Sequence, residues 1–371
     1  MKNKICHLTS VHHIDDSRIF KKECVSLAKA GFDVSIIACG EKGFEDVKDG
    51  VRRYSIKTPK SNRIKRMFTN INVVYKKALE VNADLYHFHD PELLTIALKL
   101  KKKNKKVIFD SHEFTSEQIK IKPYLPKLVR NFVSKLFTKY ENYVIKRLDG
   151  VIIPCSLDGK NYFEGKTKNV VYIDNTPLFS DVSVVNFGTR NKIFHLGTLT
   201  YERGIKHLVQ ASHLSQTTLV LAGRFSPPSF EQELRELPDF ASVEYKGFIG
   251  FEEKIAISEE CFAGVSTLLN VGQYPRLGNL PTKVYEFMGM GIPVILSNIE
   301  TAKKINKKYN FGICVDPSNP KEIADAILYL KNNKEIAKEM GDNARKAFEN
   351  EFNWKIDENK LLKFYNEILE K

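Results

Sequence analysis

Three groups of residues in this 371-residue chain have types and spacings that could do chemistry. The first is the run Leu277-Gly278-Asn279-Leu280-Pro281-Thr282-Lys283-Val284-Tyr285-Glu286-Phe287-Met288-Gly289-Met290-Gly291-Ile292-Pro293-Val294-Ile295-Leu296. It reads as loop, short helix, glycine turn and buried strand. Pro281 suits a first helical turn, where its missing N–H has no partner to lose. Val284, Phe287, Met288 and Gly291 fall on one core-facing stripe, and Gly291 stops the helix. A helix start offers free N–H groups and partial positive charge, which suits a phosphate. Lys283 in the first turn opposes that dipole and makes sense if an anion sits there. Glu286, one turn on, can accept two hydrogen bonds from a vicinal diol such as a ribose. The competing reading is a surface i,i+3 Lys–Glu pair worth about a few tenths of a kcal/mol, and spacing alone does not separate the two.

The second group is basic and glycine-rich. Gly197-Thr198-Leu199-Thr200-Tyr201-Glu202-Arg203-Gly204 follows a strand and opens a helix. Arg203 there can hold two phosphate oxygens without a metal, or be an ordinary exposed helix-start arginine. Leu221-Ala222-Gly223-Arg224 ends another strand: Gly223 permits close backbone approach, and Arg224 either adds positive charge or is simply solvated. Tyr245-Lys246-Gly247-Phe248-Ile249 is a strand-to-loop segment in which Phe248 serves a ligand or the edge of the core. The third group is histidine-rich. His12 and His13 follow the first expected strand, His87 and His89 lie on or after the fourth, and His112 follows the fifth. Strand carboxyl ends are where α/β sheets bind ligands. His89-Asp90 has the makings of a carboxylate-oriented base, whereas His87 reads as a core histidine. His87, His89 and Asp90 together with His112 and Glu113 are also metal-ligand types.

These stretches resemble glycosyltransferases. The Pro-x-Lys-x-x-Glu-Phe-Met helix followed by Gly-Ile-Pro-Val-Ile looks like the donor-site signature of retaining GT-B enzymes of family 4 (glycosyl transferases group 1). Gly197 to Gly204 resembles their phosphate loop, with Arg203 as the basic residue. The blocks around His12-His13-Ile14-Asp15-Asp16-Ser17-Arg18, His87-Phe88-His89-Asp90 and Asp110-Ser111-His112-Glu113 are similar to those of the bacterial surface-polysaccharide branch. The resemblance implies no cofactor and no metal, with a nucleotide-diphosphate sugar, a UDP-sugar first, as donor. The donor would meet Gly197, Thr198, Arg203, Gly223, Arg224, Phe248, Ile249, Gly278, Asn279, Leu280, Thr282, Lys283 and Glu286. His112, Glu113, Arg203 and Lys283 are the expected catalytic residues. His12, His13, Asp16, Arg18, His89 and Asp90 are the expected acceptor residues. In the family a glutamate often stands eight positions before the ribose-binding one; here that position is Gly278, and backbone N–H groups of Gly278 to Leu280 would have to substitute.

The elements that must position these residues alternate strand and helix, which implies parallel sheets. Expected strands are Lys4–Thr9, Asp33–Ala38, Arg53–Lys57, Asp84–His89, Lys106–Asp110, Gly150–Pro154 and Val170–Ile173, then Lys192–Leu196, Thr218–Ala222, Val243–Lys246, Gly264–Leu268, Pro293–Leu296 and Gly312–Val315. Expected helices include Arg18–Ala30, Gly204–His213, Glu252–Cys261, Pro320–Lys331, Lys334–Glu349 and Trp354–Glu370. The fold class is α/β, a GT-B plan of two doubly wound Rossmann-like domains facing each other across a cleft. The acceptor-side domain spans 1–180 and the nucleotide-sugar domain 190–353, with a linker between them. A C-terminal helix at about 354–371 packs back on the first domain, as the resemblance implies.

Composition sets the surroundings. No run approaches the ~18 apolar residues of a transmembrane helix, and the apolar start is too short for a signal peptide. Cys6, Cys24, Cys39, Cys155, Cys261 and Cys314 are scattered without zinc-site spacing, which reads as buried thiols in a reducing cytoplasm. Residues 1–180 hold 34 Lys/Arg against 20 Asp/Glu, while 181–371 hold 24 against 25. So one-sided a charge suggests a polyanionic partner, nucleic acid or anionic lipid. Leu128, Val129, Phe132, Val133, Leu136 and Phe137 form an apolar stripe beside Lys127, Arg130, Lys135 and Lys139. Such a helix either lies on an anionic membrane or packs on the sheet with a solvated basic face, the commoner case. Lys57, Lys60, Arg63, Lys65 and Arg66 add to the same half.

The expectation is a cytoplasmic enzyme, peripheral on the inner face of the plasma membrane. It would transfer a sugar to a saccharide or polyprenyl-diphosphate-linked acceptor, with no nucleic acid as partner. Rivals are a nucleotide-sugar epimerase of the same fold and a basic nucleic-acid-binding protein, for which no motif is present. A dinucleotide dehydrogenase is disfavoured because no Gly-x-Gly-x-x-Gly follows the first strand.

Overall fold

Short apolar runs separated by amphipathic helices build two parallel sheets. The computed structural model describes residues 2–58, 63–121, 126–167, 169–185 and 190–370. Two compact units result: one holds the chain through Ser156, then Lys160–Asn175 and the chain from Lys355 on; the other holds Leu157–Gly159 and Thr176–Trp354. Asp181 to Val185 belong to the second unit, where Val182 and Val185 are buried in the core. The apolar periodicity lost after Ser180 therefore marks an irregular but packed segment.

The first unit has strands β1 (Lys4–Thr9), β2 (Asp33–Gly40), β3 (Phe44–Lys48), β4 (Val51–Lys57), β5 (Leu85–Phe88), β6 (Lys106–Asp110), β7 (Gly150–Ile153) and β8 (Val170–Tyr172). They lie in the order β3-β4-β2-β1-β5-β6-β7-β8, parallel except for the antiparallel pair β3–β4. β3 was not foreseen: all five of its residues are exposed, so it carries no burial pattern. The helix starting at Ser17 winds as a π-helix over Ser17–Cys24 and continues as α-helix over Val25–Lys29. At the other end of the chain the helix Trp354–Leu369 buries Phe364 and Ile368 over Gly150, where a Cβ would stand 2.5 Å from Phe364 Cζ.

The second unit has strands β9 (Lys192–Leu196), β10 (Thr218–Ala222), β11 (Val243–Gly247), β12 (Cys261–Ser266), β13 (Val294–Ser297) and β14 (Gly312–Val315), all parallel, in the order β11-β10-β9-β12-β13-β14. Along β10, Leu219 and Leu221 join one apolar cluster while Val220 and Ala222 join another. Alternation across a pleated strand thus feeds two cores, one on each face, as a sheet covered on both sides requires. Cys261, expected to end a helix, instead begins β12, since the helix before it stops at Glu259. Helices Ser229–Arg235 and Glu300–Tyr309 were also not anticipated.

Strand order reverses beside β1 in the first sheet and beside β9 in the second. Doubly wound sheets bind ligands outside the carboxyl ends of strands at such switch points. The histidine blocks follow β1, β5 and β6, and Gly197 follows β9.

Candidate functional site

In the second unit, turns leaving three adjacent strands touch backbone to backbone. Gly197 N–H donates to Ala222 O at 2.8 Å, and Gly223 N–H donates to Gly247 O at 2.6 Å. Gly223 has φ +143°, and a Cβ there would stand 1.9 Å from Gly197 O, so only glycine fits. Arg203 and Lys283 both reach this turn: a Cβ on Gly197 would lie 3.4 Å from Arg203 Nη1 and 3.6 Å from Lys283 Nζ.

Lys283 opens the helix Thr282–Met290, which follows Pro281 and is closed by Gly291 in the left-handed conformation. Lys283 is buried, and its Nζ donates to His195 Nε2 at 2.8 Å. His195 in turn donates from Nδ1 to Val265 O at 3.0 Å, which fixes Nε2 as the lone-pair atom. Burial and the neighbouring Arg203 hold the Lys283 ammonium well below its ordinary pKa. Burial and the same two cations keep His195 neutral. Among the described residues neither Arg203 nor Lys283 forms an ion pair, so the cradle has positive charge to share with an anion.

The surface Lys283–Glu286 pair is not formed. Glu286 turns to Lys254, whose Nζ lies 3.1 Å from Glu286 Oε1 and donates to Asp181 O at 2.9 Å. Other donor candidates divide. Leu280 is withdrawn from ligand duty: its side chain is buried in the core and its N–H donates to Tyr285 Oη at 3.0 Å. Gly278 and Thr198 are exposed, while Asn279 and Thr282 are half-buried at the loop and helix start. Phe248 is 76% exposed with the Arg224 guanidinium 5.2 Å from its ring centroid, so it is no core-edge aromatic. Ile249 packs on the core instead. His195 and Lys254 were missed by sequence reading. A histidine inside an apolar strand two residues before Gly197 was the available signal for the first.

In the first unit a pocket of about 770 Å³ is lined by His12, Arg18, His89, Asp90, His112 and Glu113, among others. His13 and Asp16 do not line it. The His13 side chain is 79% exposed beside Asp15. Asp16 caps the Ser17 helix, accepting from Arg18 N at 2.8 Å and Ile19 N at 2.9 Å. Arg18 is not open to an acceptor. Its guanidinium is buried and committed to both oxygens of Asp110 (2.9 and 3.1 Å), to Ile173 O (3.1 Å) and to Glu23 (3.1 Å).

The expected His89–Asp90 pairing also fails. Asp90 Oδ2 accepts from Thr9 Oγ1 at 2.8 Å and Ser10 N at 2.6 Å, fastening the turn after β1. Asp110 takes its place as orienting carboxylate: Oδ2 lies 3.0 Å from His112 Nε2 and 3.4 Å from His89 Nδ1. Burial alone would raise the Asp110 pKa, but Arg18 and His112 hold it well below the usual range. His112 Nε2 also lies 3.0 Å from His89 Nδ1, so both imidazoles converge on the same Asp110 oxygen. His12 is raised above its ordinary pKa by the Asp16 carboxylate 3.5 Å away and by Asp90. His87 is a core histidine, its Nδ1 2.6 Å from Tyr365 Oη and its Nε2 without a partner among the described residues. The metal-ligand types group differently from their sequence order. Asp90 and Glu113 drop out; His7, Glu23, His87 and His89 come together, as do His89, Asp110 and His112.

The basic helix Lys127–Ile145 reverses the commoner expectation. It packs through Ser134, Phe137, Glu141, Val144 and Ile145. Leu128 (84%), Phe132 (69%) and Leu136 (58%) stay exposed, as do Val129 and Val133. Of the remaining basic positions, Lys60 and the side chains of Arg63, Lys65, Arg66 and Lys127 lie outside the described residues.

Two parallel-sheet α/β units with ligand-type residues at the strand ends define the GT-B class. The chain matches the family described as glycosyl transferases group 1 over residues 180–347, and that described as glycosyltransferase family 4 over residues 20–167. It belongs to this group 1, family 4 type of glycosyltransferase. It is 24% identical over 330 residues to an uncharacterized glycosyltransferase of Methanocaldococcus jannaschii, covering 82% of this chain and 78% of that one. In fold it is similar to a sucrose-phosphate synthase from Thermosynechococcus elongatus (TM-score 0.80, 16% identity, 100% of both chains). It is also similar to Anabaena HepE in complex with UDP-glucose (TM-score 0.71, 14% identity, 98% of this chain and 99% of that one).

Proposed function

We propose that this glycosyltransferase moves a sugar, with retention, from a UDP-sugar to a saccharide or polyprenyl-diphosphate-linked acceptor during surface-polysaccharide assembly. The carrying observation is the convergence of Arg203 and Lys283 on Gly197 with no ion-paired carboxylate among the described residues. Glu286, held by Lys254, is the acceptor for the ribose diol, and the HepE complex with UDP-glucose favours uridine as the base. As the sugar C1–oxygen bond breaks, Arg203, Lys283 and the helix start stabilise the charge developing on the departing diphosphate, so the step needs no metal. The acceptor hydroxyl attacks from the same face, and its proton passes to that phosphate. His112, fixed by Asp110, orients a hydroxyl from the pocket. The exposed apolar stripe with its basic flanks supports a seat on the inner face of the plasma membrane, where a lipid-linked acceptor resides.

Calorimetric titration of UDP, GDP, ADP and CMP in EDTA, on wild type and Glu286→Ala, tests the donor site. UDP is expected to saturate one site and to bind at least about tenfold more weakly to the variant, the worth of roughly one charge-assisted hydrogen bond. Absence of binding by all four nucleotides would overturn the reading.

A further inference from the structure

Sugar transfer leaves one group of residues without a task. His7, Glu23, His87 and His89 are each at most 2% exposed. β1 and β5 set His7 and His87 side by side in register, the end of β5 adds His89, and the Ser17–Cys24 helix brings Glu23 over them. His7 Nδ1 lies 3.0 Å from His89 Nε2. Glu23 Oε2 lies 3.9 Å from His7 Nδ1, 3.8 Å from His87 Nδ1 and 3.9 Å from His89 Nε2. Tetrahedral zinc, bound at about 2.0–2.1 Å, sets its ligand atoms about 3.4 Å apart; these four separations lie within about half an ångström of that, and all four ligand atoms lie within 4.8 Å of one another.

A second observation points into the same space. Among the described residues Glu23 Oε2, the oxygen facing the three imidazoles, has no hydrogen-bond partner, while Oε1 pairs with Arg18; His87 meets Tyr365 Oη through Nδ1 at 2.6 Å and leaves Nε2 without a partner. Buried polar atoms are rarely left so. Burial and the neighbouring Asp110 push Glu23 toward its neutral form, so ionising it would leave a negative charge buried. Either a proton or a cation must answer it.

We propose that His7, Glu23, His87 and His89 bind one zinc ion as a closed structural site of three imidazoles and one carboxylate. Burial keeps the imidazoles neutral, which is the ligating form. The groups behind the ligands suit the role. Glu23 Oε1 faces Arg18 Nε at 3.1 Å, His89 Nδ1 lies 3.0 Å from His112 Nε2 and 3.4 Å from Asp110 Oδ2, and His7 Nε2 faces Tyr365 Oη at 3.3 Å. Carboxylate and hydroxyl partners on the far nitrogen are what fix a ligating histidine's tautomer. With four protein ligands there is no open position for substrate. The site would tie β1, β5 and the first helix together beneath the pocket, independently of which sugar is transferred.

The test uses the full chain purified from zinc-containing medium. Elemental analysis is expected to give about one zinc per chain, falling below about a tenth in the Glu23→Gln/His87→Gln double variant. Because that variant can fail to fold, wild type is also unfolded in guanidinium with EDTA and refolded with and without zinc. The zinc-free protein is expected to melt lower, with the original Tm restored by added zinc, and cobalt refolding is expected to give the visible bands of tetrahedral Co(II). Wild type holding less than about a tenth of a zinc, with an unchanged Tm after EDTA refolding, would overturn the site and assign Glu23 as a neutral carboxylic acid. Full zinc retained by a folded double variant would overturn the ligand set.

Discussion

Glu141 lies in the helix Lys127–Ile145 with its carboxyl fully buried, Tyr162 Oη 3.4 Å from Oε2 and nothing bonded to Oε1. Burial raises its pKa to about 7 despite the nearby Lys166. Below the unfolded value the group is neutral in both states and carries no penalty. As pH rises toward the folded value, the unfolded chain ionises first and stability is lost, with the loss complete above pH 7. The loss is roughly 3 kcal/mol at full ionisation. Glu141→Gln is therefore expected to melt close to wild type at pH 5 and several degrees higher at pH 8. Equal differences at the two pH values in thermal melts would remove burial as the cause. The same scale shows what a sequence can reveal. That Arg203 and Lys283 meet at one glycine turn was legible because a strand end and a helix start give each its local meaning. His195, Lys254, Asp110 and Glu23 were not, because their importance comes from partners on other strands and helices. Arg18 was read as an acceptor contact from its place at a helix start, but Asp110, 92 positions away, claims it.

At the scale of elements, the strands that hold the site were legible because buried parallel strands are short continuous apolar runs between turn residues. β1, β6, β9, β10 and β14 have the expected bounds. β3 was illegible because a fully exposed edge strand has no burial pattern to read. The turns after β9, β10 and β11 are locked by contact between their backbones, with Tyr245 Oη donating to Gly223 O at 3.0 Å, so one methyl group should be felt there. Gly223→Ala would force Cβ onto Gly197 O at 1.9 Å in a left-handed conformation. The expected result is a Tm lowered by several degrees, reflecting about 2 kcal/mol or more. It should come with UDP affinity weakened at least about tenfold, as Arg203 and Lys283 lose their shared turn. Gly43→Ala, whose Cβ would meet only ordinary contacts at 3.5 Å and beyond, is the control and should change neither.

For the whole molecule, the sequence placed the positive excess in residues 1–180 but not the face that uses it. Its commoner reading put the apolar stripe of the basic helix against the sheet. Of that stripe Phe137 makes the contact, together with Val144 and Ile145, and Leu128, Phe132 and Leu136 are left in water beside Arg130, Lys135 and Lys139. Burying three such side chains in a membrane interface is worth about 1.5–3 kcal/mol each if complete, and basic residues near an anionic leaflet add about 1 kcal/mol apiece. Nucleic acid would use the charge but gain nothing from the apolar stripe. The protein should therefore float with vesicles containing phosphatidylglycerol and not with phosphatidylcholine alone. The Leu128→Ser/Phe132→Ser/Leu136→Ser variant should lose vesicle binding at least about tenfold while keeping its UDP affinity. Equal flotation of variant and wild type would assign the attraction to charge alone. Tight, salt-sensitive binding to duplex DNA by a protein that ignores both vesicles would turn the basic half toward nucleic acid.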